Sequence, residues 1–112
     1  MKERRKYVRF PIITNAKYKL LPTPEVECRC KSRNVGGDGI NIYTKEKLPV
    51  GKKIKLLFSL PDGTKEISAE GRIIWAKKIK GKVQNGIKFT KINKYAREKI
   101  IRYIQRCLSW ED

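Results

Sequence analysis

Hydrophobic and polar residues alternate along most of this chain. Ala16, Tyr18 and Leu20 share one face of the segment from Asn15 to Leu21, and the PTPE run at 22–25 breaks it. Val26, Cys28 and Cys30 then alternate with Glu27, Arg29 and Lys31. Ile40 and Ile42, followed by Tyr43, open a third segment that Pro49 and Gly51 close. Ile54, Leu56, Phe58 and Leu60 make a fourth, ending at the Pro61-Asp62-Gly63 turn. Ile67, Ala69, Gly71, Ile73 and Trp75 make a fifth. After a turn at 80–82, a sixth runs from Val83 to Ile92 through Gly86, Ile87 and Phe89. A period of two bounded by Pro and Gly predicts half-buried strands.

After Asn93 the period lengthens. Ala96, Ile100, Tyr103, Ile104, Cys107 and Leu108 recur at three- and four-residue spacing, which predicts an amphipathic helix over 93–109 with Asn93 as its N-cap. Six strands and then one helix predict an all-β fold, a small six-stranded antiparallel barrel over 15–92 with the C-terminal helix across an open end or flank. Closure leaves no bare strand edge. A barrel this narrow is filled by its own side chains, so a ligand has to bind outside it, on the loops and the outer wall.

The residues before the barrel, 1–11, read as a basic arm. MKERRKYVRF has no helical period, and Pro11 disfavours the α region for Phe10. The 112 residues suit a single domain over 1–112. Apolar residues make up 39%, and no apolar run approaches the roughly 20 residues needed to span a bilayer. No secretory signal pattern follows Met1, so the expectation is a cytoplasmic protein without membrane insertion.

Charge narrows the partners. Lys and Arg number 28 against 11 Asp and Glu, a formal net charge of +17, which favours encounter with anions. Nucleic acid, an anionic membrane surface and a nucleotide all fit, and part of the Lys excess also fits a compositional habit of the thermophile kind. Arg is a separate matter, because its guanidinium fork binds phosphates and guanine edges with defined geometry.

The absence of histidine removes Ser-His and Cys-His nucleophiles and His-containing zinc sites. Cys28, Cys30 and Cys107 are one short of an all-cysteine zinc site and odd in number for a disulfide framework. They read as buried, reduced thiols, and no metal site or cofactor is expected. Asp38, Asp62, Glu66 and Glu70 form no visible acid/base pair, so the chain reads as non-catalytic.

Two segments stand out chemically. Arg5 and Arg9 form an Arg-x-x-x-Arg on the arm, preceded directly by Arg4. The same spacing recurs at 29/33, across a strand end, and at 102/106, on the helix, where a solvated basic stripe is the simpler reading. On an extended arm the Cα atoms of Arg5 and Arg9 lie up to roughly 13–14 Å apart, a span suited to gripping two sides of a dinucleotide. The second segment is Asn34-Val35-Gly36-Gly37-Asp38-Gly39. Its glycines suit a tight turn with positive φ and a close backbone approach to a ligand. It is no P-loop, since GK[ST] is missing, and no dinucleotide fingerprint, since no helix follows. Among the aromatics, Trp75 reads as core, Tyr7 as a stacking candidate on the arm, and Trp110 as packing on the barrel or meeting a partner.

Together, an Arg-x-x-x-Arg arm, an Asn-x-small-x-x-Gly turn about 25 residues later, the GRIIW (71–75) and NGIKF (85–89) strands and the terminal helix resemble the PilZ domain family over nearly the whole chain. The resemblance implies a receptor for the bacterial second messenger cyclic di-GMP. Arg5 and Arg9 would clamp guanines and phosphates, Asn34 would read a guanine edge, and Gly39 would be the motif's closing glycine. Arg4 would favour a stacked pair of ligand molecules. Arg33 stands either at a phosphate or solvated at the strand end. The family's usual Ser or Ala is replaced by Gly36, which removes one hydrogen bond at most, typically about 0.5–1.5 kcal/mol. Ligand would order the arm onto the barrel and create a surface for a downstream protein. The competing reading is a small basic barrel that binds single-stranded nucleic acid or RNA through phosphate contacts and stacking.

Overall fold

The computed structural model describes residues 8–22 and 26–109 of the 112. The strands are β1 (Arg9–Pro11), β2 (Asn15–Leu20), β3 (Cys28–Gly36), β4 (Gly39–Thr44), β5 (Lys53–Phe58), β6 (Ile67–Ile79) and β7 (Lys82–Ile92), followed by α1 (Lys94–Ser109). They form one antiparallel sheet in the order β1-β3-β2-β5-β6-β7-β4, and a β3–β4 pairing closes it. The result is the six-stranded barrel with one extra strand. That strand, β1, is formed by the last residues of the stretch read as an arm. It pairs with β3 at Arg9↔Gly36 and Pro11↔Asn34, while β2 takes the same strand from Asn15↔Lys31 onward. Ser32 fastens the step between β1 and β2: its Oγ accepts from Thr14 N at 3.0 Å and donates to the Ile12 carbonyl.

The alternating apolar positions fill the barrel. Val35, Ile40, Ile42, Ile54, Leu56, Phe58, Ile73 and Ile87 are buried, and the rings of Phe58 and Phe89 stack at 6.1 Å. Asn85 is also fully buried; its Oδ1 accepts from Leu48 N at 3.0 Å and its Nδ2 donates to Thr44 Oγ1 at 2.8 Å. Helix α1 begins as its N-cap predicts, with Tyr95 N donating to Asn93 Oδ1 at 2.8 Å. Ile100 and Ile104 seal its inner face against the core, while Leu108, expected on that face, is exposed. The strand directions put the β3–β4 turn and the β5–β6 loop at one end of the barrel. The helix lies there, with Arg97 Nε donating to Gly37 O at 3.0 Å and Arg106 3.2 Å from Asp62.

Two irregularities reverse the simple alternation. Between Ser32 and Asn34 the register against β4 shifts by one, from Ser32↔Ile42 to Asn34↔Asn41. Ser32 and Ile42 point inward, so Arg33 is the extra residue and Asn34 turns outward beside Asn41. Between Ile73 and Trp75 the register against β7 shifts in the same way, from Ile73↔Ile87 to Trp75↔Gly86. Ile87 and Asn85 are buried inward, so Gly86 and Trp75 face out. Trp75 is therefore on the outer wall and half-buried there, not in the core as its period-two position predicts.

Other expectations also need correction. Val26 is exposed and precedes β3, and Cys28 and Cys30 are half-buried, not sealed in the core. The turn read at 34–39 is narrower: Asn34–Gly36 belong to β3, Gly39 opens β4, and only 37–38 turn. The positive-φ glycines are Gly51, Gly63 and Gly81, so Gly36 and Gly39 serve close approach rather than a left-handed backbone. Among the described residues, no helix is long and apolar enough to cross a membrane.

Candidate functional site

The site is built on the outer wall where β1, β3, β4, β7 and β6 lie side by side. Strand pairing puts Pro11, Asn34, Asn41, Gly86 and Trp75 in one row across them. Arg9, one pleat further along β1, folds its side chain over this row. Its Nη1 donates to Asn41 Oδ1 at 3.0 Å, and its Nε lies 3.5 Å from Asp38 Oδ1. The Arg9 side chain is only 8% exposed, so its charge is largely stripped of water with one carboxylate nearby.

Two glycines make this approach possible. Arg9 sits opposite Gly36, where a Cβ would come within 2.8 Å of the Val8 carbonyl oxygen and 2.9 Å of Arg9 Cγ. A Cβ on Gly39 would come within 2.6 Å of Arg9 Nη2 and press on the Ile87 carbonyl. The glycines are thus a floor across which the Arg9 side chain passes. At the far end of the row, the Trp75 indole covers Gly86 where a side chain would otherwise stand.

Hydrogen bonding around this floor is incomplete. Among the described residues, the buried side-chain polar atoms without a hydrogen-bond partner are Arg9 Nε, Asn34 Oδ1 and Asp38 Oδ1. All three surround the Gly36–Gly39 hairpin. Leaving a buried polar atom unpaired costs about 1–3 kcal/mol. Arg9 Nε and Asp38 Oδ1 offset each other in part as an ion pair at 3.5 Å, which leaves Asn34 Oδ1 with the greatest demand for a polar partner.

The structure therefore brings Arg9, Asn34, Gly36 and Gly39 together. Arg33, the extra residue in β3, is exposed next to Asn34. Arg4 and Arg5, with Tyr7 and Trp110, lie outside the described residues. Sequence reasoning missed three members of the site. Asp38, read as an isolated turn carboxylate, is the ion partner of Arg9. Asn41 is hidden in an apolar segment between two core isoleucines. Trp75 counts as core by its period of two, although Gly86 in the middle of a strand is the available signal, since such a glycine marks a close approach.

The thiols form no part of the site. Burial pushes Cys30 up to about 12, with Cys28 adding a smaller rise, so it is a thiol rather than a thiolate at neutral pH and a poor metal ligand. Among the described residues, no three Cys, Asp or Glu side chains gather as a metal-binding group.

The model of the PilZ domain matches residues 3–106 of the chain. The chain belongs to the PilZ domain family. Solved structures agree on the fold. The inhibitor of motility MotI/DgrA of Bacillus subtilis superimposes with a TM-score of 0.85 at 23% identity, over 96% of this chain and 53% of that one. This chain thus spans about half of that protein. The PilZ domain of Escherichia coli YcgR, solved with c-di-GMP, gives a TM-score of 0.72 at 11% identity over 97% of each chain. YcgR of Escherichia coli in complex with c-di-GMP gives 0.80 at 13% identity, over 97% of this chain and 48% of that one. No curated protein matches the sequence. In this PilZ domain, the Gly36–Gly39 hairpin is held against β1 by a buried arginine, Arg9. Gly36 lets that strand lie closer than a side chain would permit.

Proposed function

We propose that this PilZ domain is a non-enzymatic receptor for cyclic di-GMP, bound on the outer wall around Arg9, Asn34 and the Gly36–Gly39 hairpin. The observation that carries the reading is the convergence of Arg9 Nε, Asn34 Oδ1 and Asp38 Oδ1, each buried without a hydrogen bond. A guanine offers what these atoms lack. Its O6 and N7 accept from a guanidinium fork, and its ring and exocyclic N–H groups donate to an amide or carboxylate oxygen. The bound structures of YcgR support the same ligand class.

In this reading Trp75 supplies an aromatic face at the other end of the row. Arg5, four residues before Arg9, closes over the ligand with its own fork, and Arg4 engages a second, stacked ligand molecule. Arg33 contacts a phosphate from the rim. Residues 9–11 of the arm already pair with β3, so in this reading binding fixes the part that carries Arg4 and Arg5 over the ligand, and a downstream protein reads the surface so formed.

Isothermal titration calorimetry with cyclic di-GMP, beside GTP and cyclic di-AMP, tests this. Saturable binding of cyclic di-GMP alone is expected, at two molecules per chain. Arg4→Ala should reduce that to one, and Arg5→Ala and Arg9→Ala should abolish it. Binding that survives the Arg5→Ala/Arg9→Ala double substitution sinks the proposed site.

A further inference from the structure

A dianionic dinucleotide leaves most of the +17 charge unaccounted for. The surplus is concentrated. No acidic residue occurs between Glu70 and Glu98, a stretch that contains β6 from Gly71 onward and all of β7. Beyond its pairing with β5 and the backbone hydrogen bonds of Ile73 to Gly51 and Lys52, β6 continues to Ile79 paired with β7. The hairpin tip reaches past the barrel at the end opposite α1.

Between this hairpin and β3 lies a groove of about 650 Å³. Arg29, Lys31, Lys45, Lys78 and Lys82 line it, together with Tyr43, and no carboxylate does. All five cations are exposed, and none belongs to an ion pair among the described residues. Tyr43 is half-buried two residues beyond Asn41 on the same outer face of β4, with the Lys82 ammonium 5.5 Å from its ring centroid.

We infer that this groove is a second binding site, for single-stranded nucleic acid held through its phosphates without sequence preference. Cations and an aromatic face side by side match what a nucleotide presents, a phosphate joined to a base. An acidic peptide has charge but nothing that must stack. A membrane surface is flat, and the walls of a concave groove hold their ammonium groups away from it. Lysine supplies most of the charge, and as a point charge it holds phosphates without reading base edges. The groove adjoins the outer-wall row but shares no residue with it.

The test is fluorescence anisotropy of a labelled, mixed-sequence single-stranded RNA of about 12 nucleotides and its DNA counterpart, on the full chain. Five phosphate contacts predict a log–log salt slope near −3.5, hence about a hundredfold loss of affinity between 50 and 200 mM salt. Lys45→Gln/Lys78→Gln/Lys82→Gln should flatten the slope to about −1.4, and Tyr43→Leu should weaken binding with the slope unchanged. Neither variant should change the cyclic di-GMP isotherm, and this also confirms that the variants fold.

No RNA or DNA binding at 50 mM salt overturns the proposal, as does binding that the triple variant leaves intact. It is equally overturned if the groove-dependent ligand proves to be a polyglutamate peptide or phosphatidylglycerol vesicles instead. A fall in cyclic di-GMP stoichiometry in the triple variant overturns it too, because the groove would then be a subsite for a second ligand molecule.

Discussion

The indole of Trp75 lies over Gly86, in the space that any side chain at that position would occupy. The contact is possible because a bulge in β6 turns Trp75 out of the core and β7 offers a glycine opposite it. It leaves an aromatic surface on the same wall as Arg9, Asn34 and Asn41, and so ties the barrel's irregular geometry to the proposed binding face.

If that surface stacks on a base, Trp75→Ala should weaken cyclic di-GMP binding by about 1–3 kcal/mol, the usual contribution of one base–aromatic contact. With Trp110 replaced by Phe, Trp75 fluorescence should shift on titration with the ligand. Unchanged affinity in Trp75→Ala would remove the indole from the site.

Gly39 and Gly36 should differ in their tolerance of a methyl group. At Gly39 the added carbon meets the backbone of β7 and the Arg9 guanidinium, and at Gly36 it meets β1, a three-residue terminal strand that can shift. Gly39→Ala is expected to destabilise the fold by about 1–3 kcal/mol and to abolish ligand binding. Gly36→Ala should have the smaller effect on both. Thermal unfolding of the two variants gives the comparison directly.

Asn85 is the polar strut of the β4–β5 connection. Asn85→Leu strands the Leu48 N–H and frees Thr44, which should destabilise the protein by about 1–3 kcal/mol. Urea titration should show a lower midpoint with an unchanged slope.

Asp62 joins the β5–β6 loop to α1. The Thr64 hydroxyl above all holds its carboxyl below the usual carboxylate value against the opposing effect of burial, with smaller help from the Thr64 backbone and Arg106. Because its folded pKa is depressed, the stabilisation is present above the unfolded pKa of about 3.9 and is lost as pH falls through the folded value. The difference between wild type and Asp62→Asn should be level from neutral pH down to about pH 5, then vanish in stronger acid. It should not exceed about 1 kcal/mol, because the ion pair is exposed. A difference that grows on acidification would contradict this assignment.

Six strands, their order in the chain, the closing helix and its Asn93 cap are legible in the sequence. They rest on local rules: a side-chain period of two or about 3.6, turn residues, and an amide that caps the backbone beside it. The Arg-x-x-x-Arg and Asn-x-x-x-x-Gly spacings are legible for the same reason, being linear patterns. The side of the wall that a residue faces was not. Counting by twos from Ser32 turns Asn34 into the barrel, and counting by twos from Ile73 does the same to Trp75. One extra residue in each strand reverses both, since a shift of one exchanges the two faces of a strand. Nor could the sequence pair Arg9 with Asn41, 32 residues away, or with Asp38. Those contacts exist only once β1 lies on β3 and the glycines of the hairpin let the guanidinium down onto the wall. Local periodicity determined the strands and the helix, whereas bulges, register and close approach, which depend on neighbouring strands, decided which side chains meet.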